Sequence, residues 1–161
     1  MILKHLLQDK IKGNTMRAVI IYYSKHHGNT KKLVDAIVAC ENVESIDACQ
    51  IDNIDLSEYD LIGFASGIYY SNFHKSVLEI AKIFLPKYKK IFLLYTCGMK
   101  QNGYTDHIIK IIKDKECKIL ATYGCAGHST YGPLKLFGGI AKGHPDHIDI
   151  AGAVEIFNLI K

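Results

Sequence analysis

Tryptophan is absent from the 161 residues, and the five cysteines form no C-x-x-C pair. An odd number of cysteines without that spacing fits reduced thiols better than a disulfide framework or a zinc site, so we expect a cytoplasmic protein. No apolar run reaches the length of a membrane span, and the sequence shows no pattern typical of a signal peptide, so we expect neither. Lysine and arginine number 20 against 16 acidic residues, yet they form no run typical of a nucleic-acid surface. These exclusions leave the class of globular proteins, and the length predicts one domain that can bury a full core.

Apolar runs alternate with helix-like segments, a pattern that predicts an α/β fold with a parallel sheet covered by helices on both faces. The predicted strands are 17–23, 43–48, 60–65, 90–96 and 117–123. The predicted helices are 29–40, 74–85, 104–114 and 148–160. Pro86 ends the second helix, and Asp146 with Asp149 predicts an N-cap followed by an acidic first turn. The short crossover 49–59 predicts a helix reduced to a turn or two.

Residues 1–15 precede the first strand and allow two interpretations. Ile2, Leu3, Leu6, Leu7 and Ile11 share one face of a helix. Alternatively, Met16 is the true start, because Lys-Gly-Asn-Thr before a methionine can be a purine-rich ribosome-binding site read as protein. We favour the second interpretation, which makes residues 16–161 the folded domain.

The segment Ser24–Thr30 lies between the first predicted strand and the first predicted helix. A helix N-terminus leaves N–H groups unpaired and carries a partial positive charge, so this junction predicts an anion site. The segment has neither Gly-Lys-Ser/Thr nor Gly-x-Gly-x-x-Gly, which argues against a nucleoside triphosphate or a dinucleotide. A single terminal phosphate, as in FMN, is the ligand that it predicts. The alternative is an ordinary strand-to-helix turn that binds no ligand and is capped by Ser24 or Asn29.

The pattern Ser-x-x-x-Gly-Asn-Thr resembles the phosphate loop of flavodoxins, and the resemblance extends over residues 17–161. It implies the three-layer flavodoxin-like fold, with five parallel strands in the order 2-1-3-4-5 and FMN at the switch point between the first and third strands. The phosphate ligands that it implies are Ser24, His26, His27, Gly28, Asn29 and Thr30. His27 occupies a place where flavodoxins often have threonine, and an imidazole N–H can donate there.

Two further loops are expected to hold the flavin ring. They contribute Ser66, Gly67, Ile68, Tyr69, Tyr70 and Phe73 from one strand end, and Thr96, Cys97, Gly98, Met99 and Tyr104 from the next. Without tryptophan, stacking falls to Tyr69 or Tyr70 and to Tyr104. Gly67 and Gly98 permit the peptide flip that flavodoxins use on reduction. Residues 68–74 differ from the usual flavodoxin loop and resemble the corresponding loop of flavodoxin-like quinone-dependent protoporphyrinogen oxidases. That resemblance argues against a pure electron carrier.

The connection 124–145 is much longer than a typical strand–helix loop. It resembles a tail of short flavodoxin-family proteins from anaerobic bacteria. Its apolar residues Leu134, Leu136, Phe137 and Ile140 are predicted to form a flap beside the flavin or a dimer contact, or else a surface loop with no function. The paired histidines lack third and fourth ligands at a diagnostic spacing, so no metal site is predicted. Cys97 is interpreted as a packing residue, because it has no resolving partner.

Charge is distributed unevenly around the predicted flavin site. Residues 24–28, 66–75, 96–105 and 124–145 contain no Asp or Glu but include Lys25, Lys75, Lys100, Lys135 and Lys142. A neutral to basic rim favours the anionic, fully reduced flavin, whereas the usual acidic flavodoxin disfavours it. The same rim favours an acidic partner or an anionic substrate.

The leading hypothesis is an FMN-binding redox protein that carries electrons between a reductase and an acceptor. Its close rival is an FMN-dependent NAD(P)H or quinone oxidoreductase that acts directly on a small substrate. A third hypothesis is a flavin-free binding module of the same fold. No acid, base or nucleophile constellation is discernible, which suits the carrier. Both a monomer and a homodimer are compatible with the sequence.

Overall fold

The computed structural model describes residues 16–161, so both interpretations of residues 1–15 lie outside the described residues. The strands are β1 (Ala18–Tyr23), β2 (Val43–Asp47), β3 (Leu61–Tyr69), β4 (Asn72–Phe73), β5 (Lys90–Cys97) and β6 (Lys118–Ala126). The α-helices are α1 (Asn29–Cys40), α2 (Lys75–Phe84), α3 (Asp106–Asp114) and α4 (His147–Ile160). No helix among them is long and apolar enough to cross a membrane.

Five strands form a parallel sheet in the order β2-β1-β3-β5-β6, which confirms the predicted arrangement. Strands β1, β3 and β5 are near-continuous apolar runs because helices cover both of their faces. Tyr23 pairs with Ser66, and Gly67 pairs with Thr96. The carboxyl ends of the three central strands therefore lie side by side at one edge of the sheet.

Two hydrophobic cores hold the helices against this sheet. One core contains Phe64 and Leu93 of the sheet, Val77 of α2 and Ile108 of α3. The other core lies on the opposite face of the sheet, where α1 and α4 pack on a cluster that includes Phe92 and Phe157. The rings of Phe92 and Phe157 meet edge to face at 5.4 Å. Full burial of one such side chain stabilises the fold by about 1.5–3 kcal/mol, so the strand edge that carries the loops is firmly anchored.

The helix boundaries agree with the predictions to within two residues, and side-chain caps begin α2 and α4. His74 Nδ1 accepts the N–H of Ser76 at the start of α2. Asp146 and Asp149 form a capping box at the start of α4, as their spacing predicts. The crossover 49–59 contains only short 3₁₀ turns at its two ends, Ala48–Gln50 and Leu56–Glu58, so the predicted reduction of its helix is confirmed.

The predicted third strand ended too early, because residues 66–73 form a β-hairpin and not an open loop. Strand β3 continues to Tyr69, and Ile68 pairs with Phe73 in the short antiparallel strand β4. Ile68 and Phe73 are apolar and alternate with more polar neighbours, which suits a hairpin with one buried face. Tyr70 and Ser71 form its turn with φ of 49° and 63°. Such turns usually contain glycine or asparagine.

The fifth parallel strand also runs further than predicted. Strand β6 continues to Ala126, so the long connection starts at Gly127. We call residues 127–145 the C-terminal segment. It contains a 3₁₀ helix, Gly132–Phe137, and a bridge between Ser129 and Ile140. It is therefore a structured element that folds back on itself.

Candidate cofactor site

A cavity of about 610 Å³ opens at the carboxyl ends of β1, β3 and β5. Its volume falls in the range of about 300–1,000 Å³ found for small-molecule sites. Three sequence-predicted loops and the C-terminal segment form its walls. The predicted site residues that line it are Ser24, His26, Asn29, Thr30, Gly67, Ile68, Tyr69, Tyr70, Thr96, Cys97, Gly98, Met99 and Tyr104.

The first wall is the start of α1. Gly28 precedes the helix with φ 61°, and a Cβ added there would meet nothing within 4 Å. The loop therefore turns into the helix with open space beside it. Ser24 Oγ accepts the N–H of Lys31 at 3.1 Å, and Thr30 Oγ1 lies 2.8 Å from Thr96 Oγ1. A helix N-terminus with nearby hydroxyl groups is the donor set that a phosphate group requires.

The second wall is the β3–β4 hairpin, whose two tyrosines have different environments. The Tyr69 ring packs directly on Gly67, where an added Cβ would lie 3.2 Å from it. Burial raises the pKa of Tyr69, and its hydroxyl is next to the backbone of Lys25 and His26. Tyr70 at the hairpin tip is 87% exposed. Tyr69 thus lies between the hairpin and the backbone of the loop Ser24–Thr30, while Tyr70 is exposed at the hairpin tip.

The third wall is the end of β5 and the turn that follows it. Tyr104 is buried, and its hydroxyl donates to the carbonyl of Met99 at 2.8 Å. Its ring also contacts Tyr95 edge to face at 6.2 Å. Tyr104 therefore supports the turn from below and presents only part of its ring to the cavity. Burial raises the pKa of the Cys97 thiol.

The C-terminal segment forms a fourth wall that motif reasoning did not assign to the site. It contributes Gly127, His128, Ser129, Thr130, Tyr131, Gly132, Leu134, Lys135 and Ile140 to the cavity lining. Of the four apolar residues predicted to form a flap or dimer contact, Leu134 and Ile140 line the cavity. Leu136 and Phe137 are 85% exposed.

Polar contacts attach the C-terminal segment to the loop Ser24–Thr30. Asn29 Nδ2 donates to the carbonyl of His128 at 2.8 Å, and His27 Nε2 lies 3.1 Å from Thr130 Oγ1. The rings of His27 and His128 are 4.4 Å apart. Close packing supports these contacts, because a Cβ on Gly127 would lie 2.9 Å from Asn29 Nδ2. Residues about one hundred positions apart therefore share one wall.

Four predicted ligand residues do not line the cavity. His27 turns toward Thr130, and Gly28 forms the bend before α1. Ser66 is buried, where its hydroxyl donates to the carbonyl of Gly67 and accepts the N–H of His74. Phe73 is buried in the core against Tyr95. The residue type alone does not tell which of the predicted residues face the cavity and which support it from outside.

Charge around the cavity has the predicted sign. Among the described residues, the cavity lining includes no aspartate or glutamate, and Lys135 is part of it. Lys25, Lys100 and Lys142 are exposed on the adjoining loops. The cavity is thus neutral to basic along its rim.

A possible metal-ligand group lies outside this cavity. His144, Asp146 and Asp149 place one ligand atom each within 4.8 Å of one another. Both carboxylates already accept backbone N–H groups in the capping box of α4, and Asp149 Oδ2 lies 2.6 Å from His144 Nδ1. The three side chains have a structural role as a helix cap.

Comparison with known proteins supports the class that the fold and cavity define. The family model described as Flavodoxin domain matches residues 20–122. A curated but uncharacterised protein of Methanocaldococcus jannaschii is 36% identical over 142 residues, which is 87% of this chain and 95% of the relative. The chain belongs to the flavodoxin domain family.

Solved structures show the same fold at low sequence identity. The two-electron reduced flavodoxin of Megasphaera elsdenii superposes with a TM-score of 0.59 at 20% identity, over 85% of this chain and 97% of that one. A flavoprotein of Lactobacillus acidophilus, solved in complex with FMN, superposes with a TM-score of 0.53 at 18% identity. The superposition covers 69% of this chain and 93% of that one. These likenesses concern the fold alone.

Proposed function

We propose that the chain binds FMN in the 610 Å³ cavity and carries electrons between a reductase and an acceptor. The observation that carries the proposal is the start of α1, where the helix N-terminus, Ser24 and Thr30 border a cavity whose lining, among residues 16–161, includes no carboxylate. A dianionic phosphate fits that donor set, and the tyrosine-rich hairpin fits a flat ring. The flavodoxin with which the chain superposes and the FMN complex of a flavoprotein support the same assignment.

The chain's own residues would hold and shield the cofactor. The N–H groups at the start of α1 and the Ser24 hydroxyl would bind the phosphate, while Tyr69 and Tyr70 would contact the ring. Cys97 has a raised pKa because it is buried, so it stays a neutral thiol that packs at the cavity wall. FMN, when bound, supplies reversible electron acceptance. The protein supplies position, exclusion of water and the surrounding charge.

Equilibrium binding of FMN and riboflavin tests this assignment, since the two ligands differ only in the phosphate. Charge-assisted hydrogen bonds contribute about 1.5–3 kcal/mol each, so two of them predict at least a hundredfold preference for FMN. Thr30→Val, which keeps the shape but removes a hydroxyl, should weaken FMN binding and leave riboflavin binding nearly unchanged. Equal affinities for both flavins would contradict the phosphate assignment, and no binding of either flavin would instead support the flavin-free module.

A direct oxidoreductase is the second candidate, because the C-terminal segment adds a wall beyond the three flavin loops. Such a wall can shape a pocket for a quinone or another small substrate. Anaerobic mixing of the FMN-loaded protein with NADH or NADPH separates the two functions. A carrier should remain oxidised until a reductase is added. Rapid bleaching by the nicotinamide alone would favour the oxidoreductase.

A further inference from the structure

Apolar side chains surround the opening of the cavity. Of the nine large apolar side chains that are exposed in residues 16–161, five belong to the surrounding loops: Tyr70, Met99, Tyr131, Leu136 and Phe137. Tyr70, Met99 and Tyr131 also line the cavity itself. We call these five residues the mouth patch. Exposed apolar side chains gathered at one place, and not scattered singly, mark an interaction surface.

The mouth patch is bordered by exposed positive charge. Lys25, Lys100, Lys135 and Lys142 are exposed, and within residues 16–161 none of them forms an ion pair with a carboxylate. The segments that carry the patch and these lysines contain no aspartate or glutamate. The charges are therefore available to a partner.

Part of the patch is held in place before any partner binds. Tyr70 adopts a left-handed conformation with φ 49°, which is uncommon for a bulky residue. Its ring centroid lies 6.3 Å from that of Tyr131, and the two rings meet edge to face with an interplanar angle of 82°. This contact joins the hairpin tip to the C-terminal segment across the opening. A pre-ordered aromatic pair loses little conformational entropy on binding, which is typical of an interface anchor.

We infer that the mouth patch and its lysines form the docking surface for an acidic redox protein whose own centre lies beneath an apolar face. The inference rests on the proposed function and deepens it by giving the partner's charge. A second copy of the chain is a poor occupant, because a two-fold contact through this face would bring the same lysines together. Complementary charge steers association and raises its rate by about ten to a thousandfold.

Cytochrome c is a suitable probe, because the effect of the partner's charge can be measured while its haem centre stays the same. The native protein is basic, and succinylation of its lysines makes the same haem protein acidic. The FMN-loaded chain is reduced with dithionite, excess reductant is removed, and the rate of electron transfer to the ferric haem is followed. At low salt we expect the acidic form to react at least tenfold faster than the basic form. The difference should shrink at high salt, since mobile ions screen the attraction.

Matched charge reversals locate the surface. Lys100→Glu with Lys142→Glu should lower the rate with the acidic form about tenfold. Lys90→Glu with Lys118→Glu changes the net charge equally at exposed positions that begin β5 and β6, at the opposite edge of the sheet. This control should lower the rate less than threefold. FMN binding is measured for every variant, so a loss of cofactor is distinguished from a loss of docking.

Truncation of the apolar part gives a readout independent of electron transfer. Leu136→Ser with Phe137→Ser removes two side chains that are exposed and outside the cavity lining. Calorimetric affinity for the acidic cytochrome should fall at least fivefold, while Ile83→Ser, at an exposed site on α2, should not change it. Equal rates for both cytochromes, equal effects of the two charge reversals, or binding to phosphatidylserine vesicles without a preference for the acidic protein would overturn the inference.

Discussion

Cys97 and Cys125 end neighbouring strands at the edge of the sheet that carries the cavity, yet their thiols are protected. Burial raises the pKa of both, that of Cys125 to about 12. Because the thiolate is the reactive form, we expect iodoacetamide at neutral pH to modify the exposed Cys40 and Cys49 long before these two. Intact-mass measurements over time test this. Rapid labelling of all five cysteines without denaturant would contradict it.

His144 gives a pH dependence to the cap of α4. Its hydrogen bond with Asp149, together with the nearby charge of Asp146, raises its pKa above the ordinary value. A raised folded-state pKa means that the stabilisation is complete below about pH 6.5 and is lost as the pH rises through the raised value. The difference in melting temperature between the protein and His144→Gln should be larger at pH 6 than at pH 8.5. An equal difference at both pH values would show that the ion pair contributes nothing.

Individual side chains show where sequence reasoning reaches its limit. The chain has ten tyrosines and no tryptophan, so tyrosine was the expected stacking residue. The burial of Tyr104 depends on one hydrogen bond to Met99 and on its contact with Tyr95. Neither contact leaves a pattern in the sequence. The orientation of Phe73 likewise follows from its pairing in β4, which appears only when the hairpin is known.

At the scale of elements, the contact between α1 and the C-terminal segment is open to a direct test. Asn29→Ala removes the donor to the carbonyl of His128 in a partly buried hydrogen bond, and an acceptor left unpaired there costs up to about 1–3 kcal/mol. We expect a loss of stability in that range and faster hydrogen exchange confined largely to residues 127–131. Unfolding by urea and exchange mass spectrometry measure the two effects.

Asn72→Ala, in strand β4, serves as the matched control for Asn29→Ala. Asn72 makes a longer, exposed hydrogen bond of 3.3 Å to the carbonyl of Tyr70. Its removal should change stability by less than about 0.5 kcal/mol. If both variants are equally stable and equally protected, the C-terminal segment is not held by Asn29.

The elements were predictable to different degrees for physical reasons. The bounds of α1 follow from its apolar periodicity and from Gly28, and prediction and structure agree at both ends. The hairpin was missed because its turn uses Tyr70 and Ser71 at positive φ, against the usual preference for glycine or asparagine. The C-terminal segment was recognised as unusually long, but its position depends on close packing of Gly98 and Gly127 against side chains distant in sequence.

For the whole molecule, the excess of positive charge at the rim predicts the redox behaviour. One cation about 6 Å from the anionic reduced flavin, at an effective dielectric constant near 20, stabilises it by about 2–3 kcal/mol, or roughly a tenth of a volt per electron. We therefore expect the FMN-loaded protein to have a less negative potential for full reduction than acidic flavodoxins. Lys100→Gln should make that potential more negative, and Lys118→Gln at the opposite edge should leave it unchanged. A spectroelectrochemical titration that finds no difference would contradict this assignment of charge.

The overall topology was the most predictable property, because alternating strands and helices with apolar central strands allow few arrangements. The order β2-β1-β3-β5-β6 brings the loop after β1 beside those after β3 and β5. The resemblance to flavodoxins implied that neighbourhood, and the strand order confirms it. The additional wall was only one of three alternatives for residues 124–145, since no rule of topology specifies where a long connection folds back.

The pairing of Asn29 with His128 also has a consequence for biosynthesis. The loop Ser24–Thr30 is translated early, but the cavity wall that it contacts lies about a hundred residues later, and the ribosome must release that segment before the two can meet. Under the proposed function, FMN would therefore bind only at the end of synthesis or after it. A nascent chain stalled before residue 127 would contain the whole phosphate motif and still lack a finished cavity.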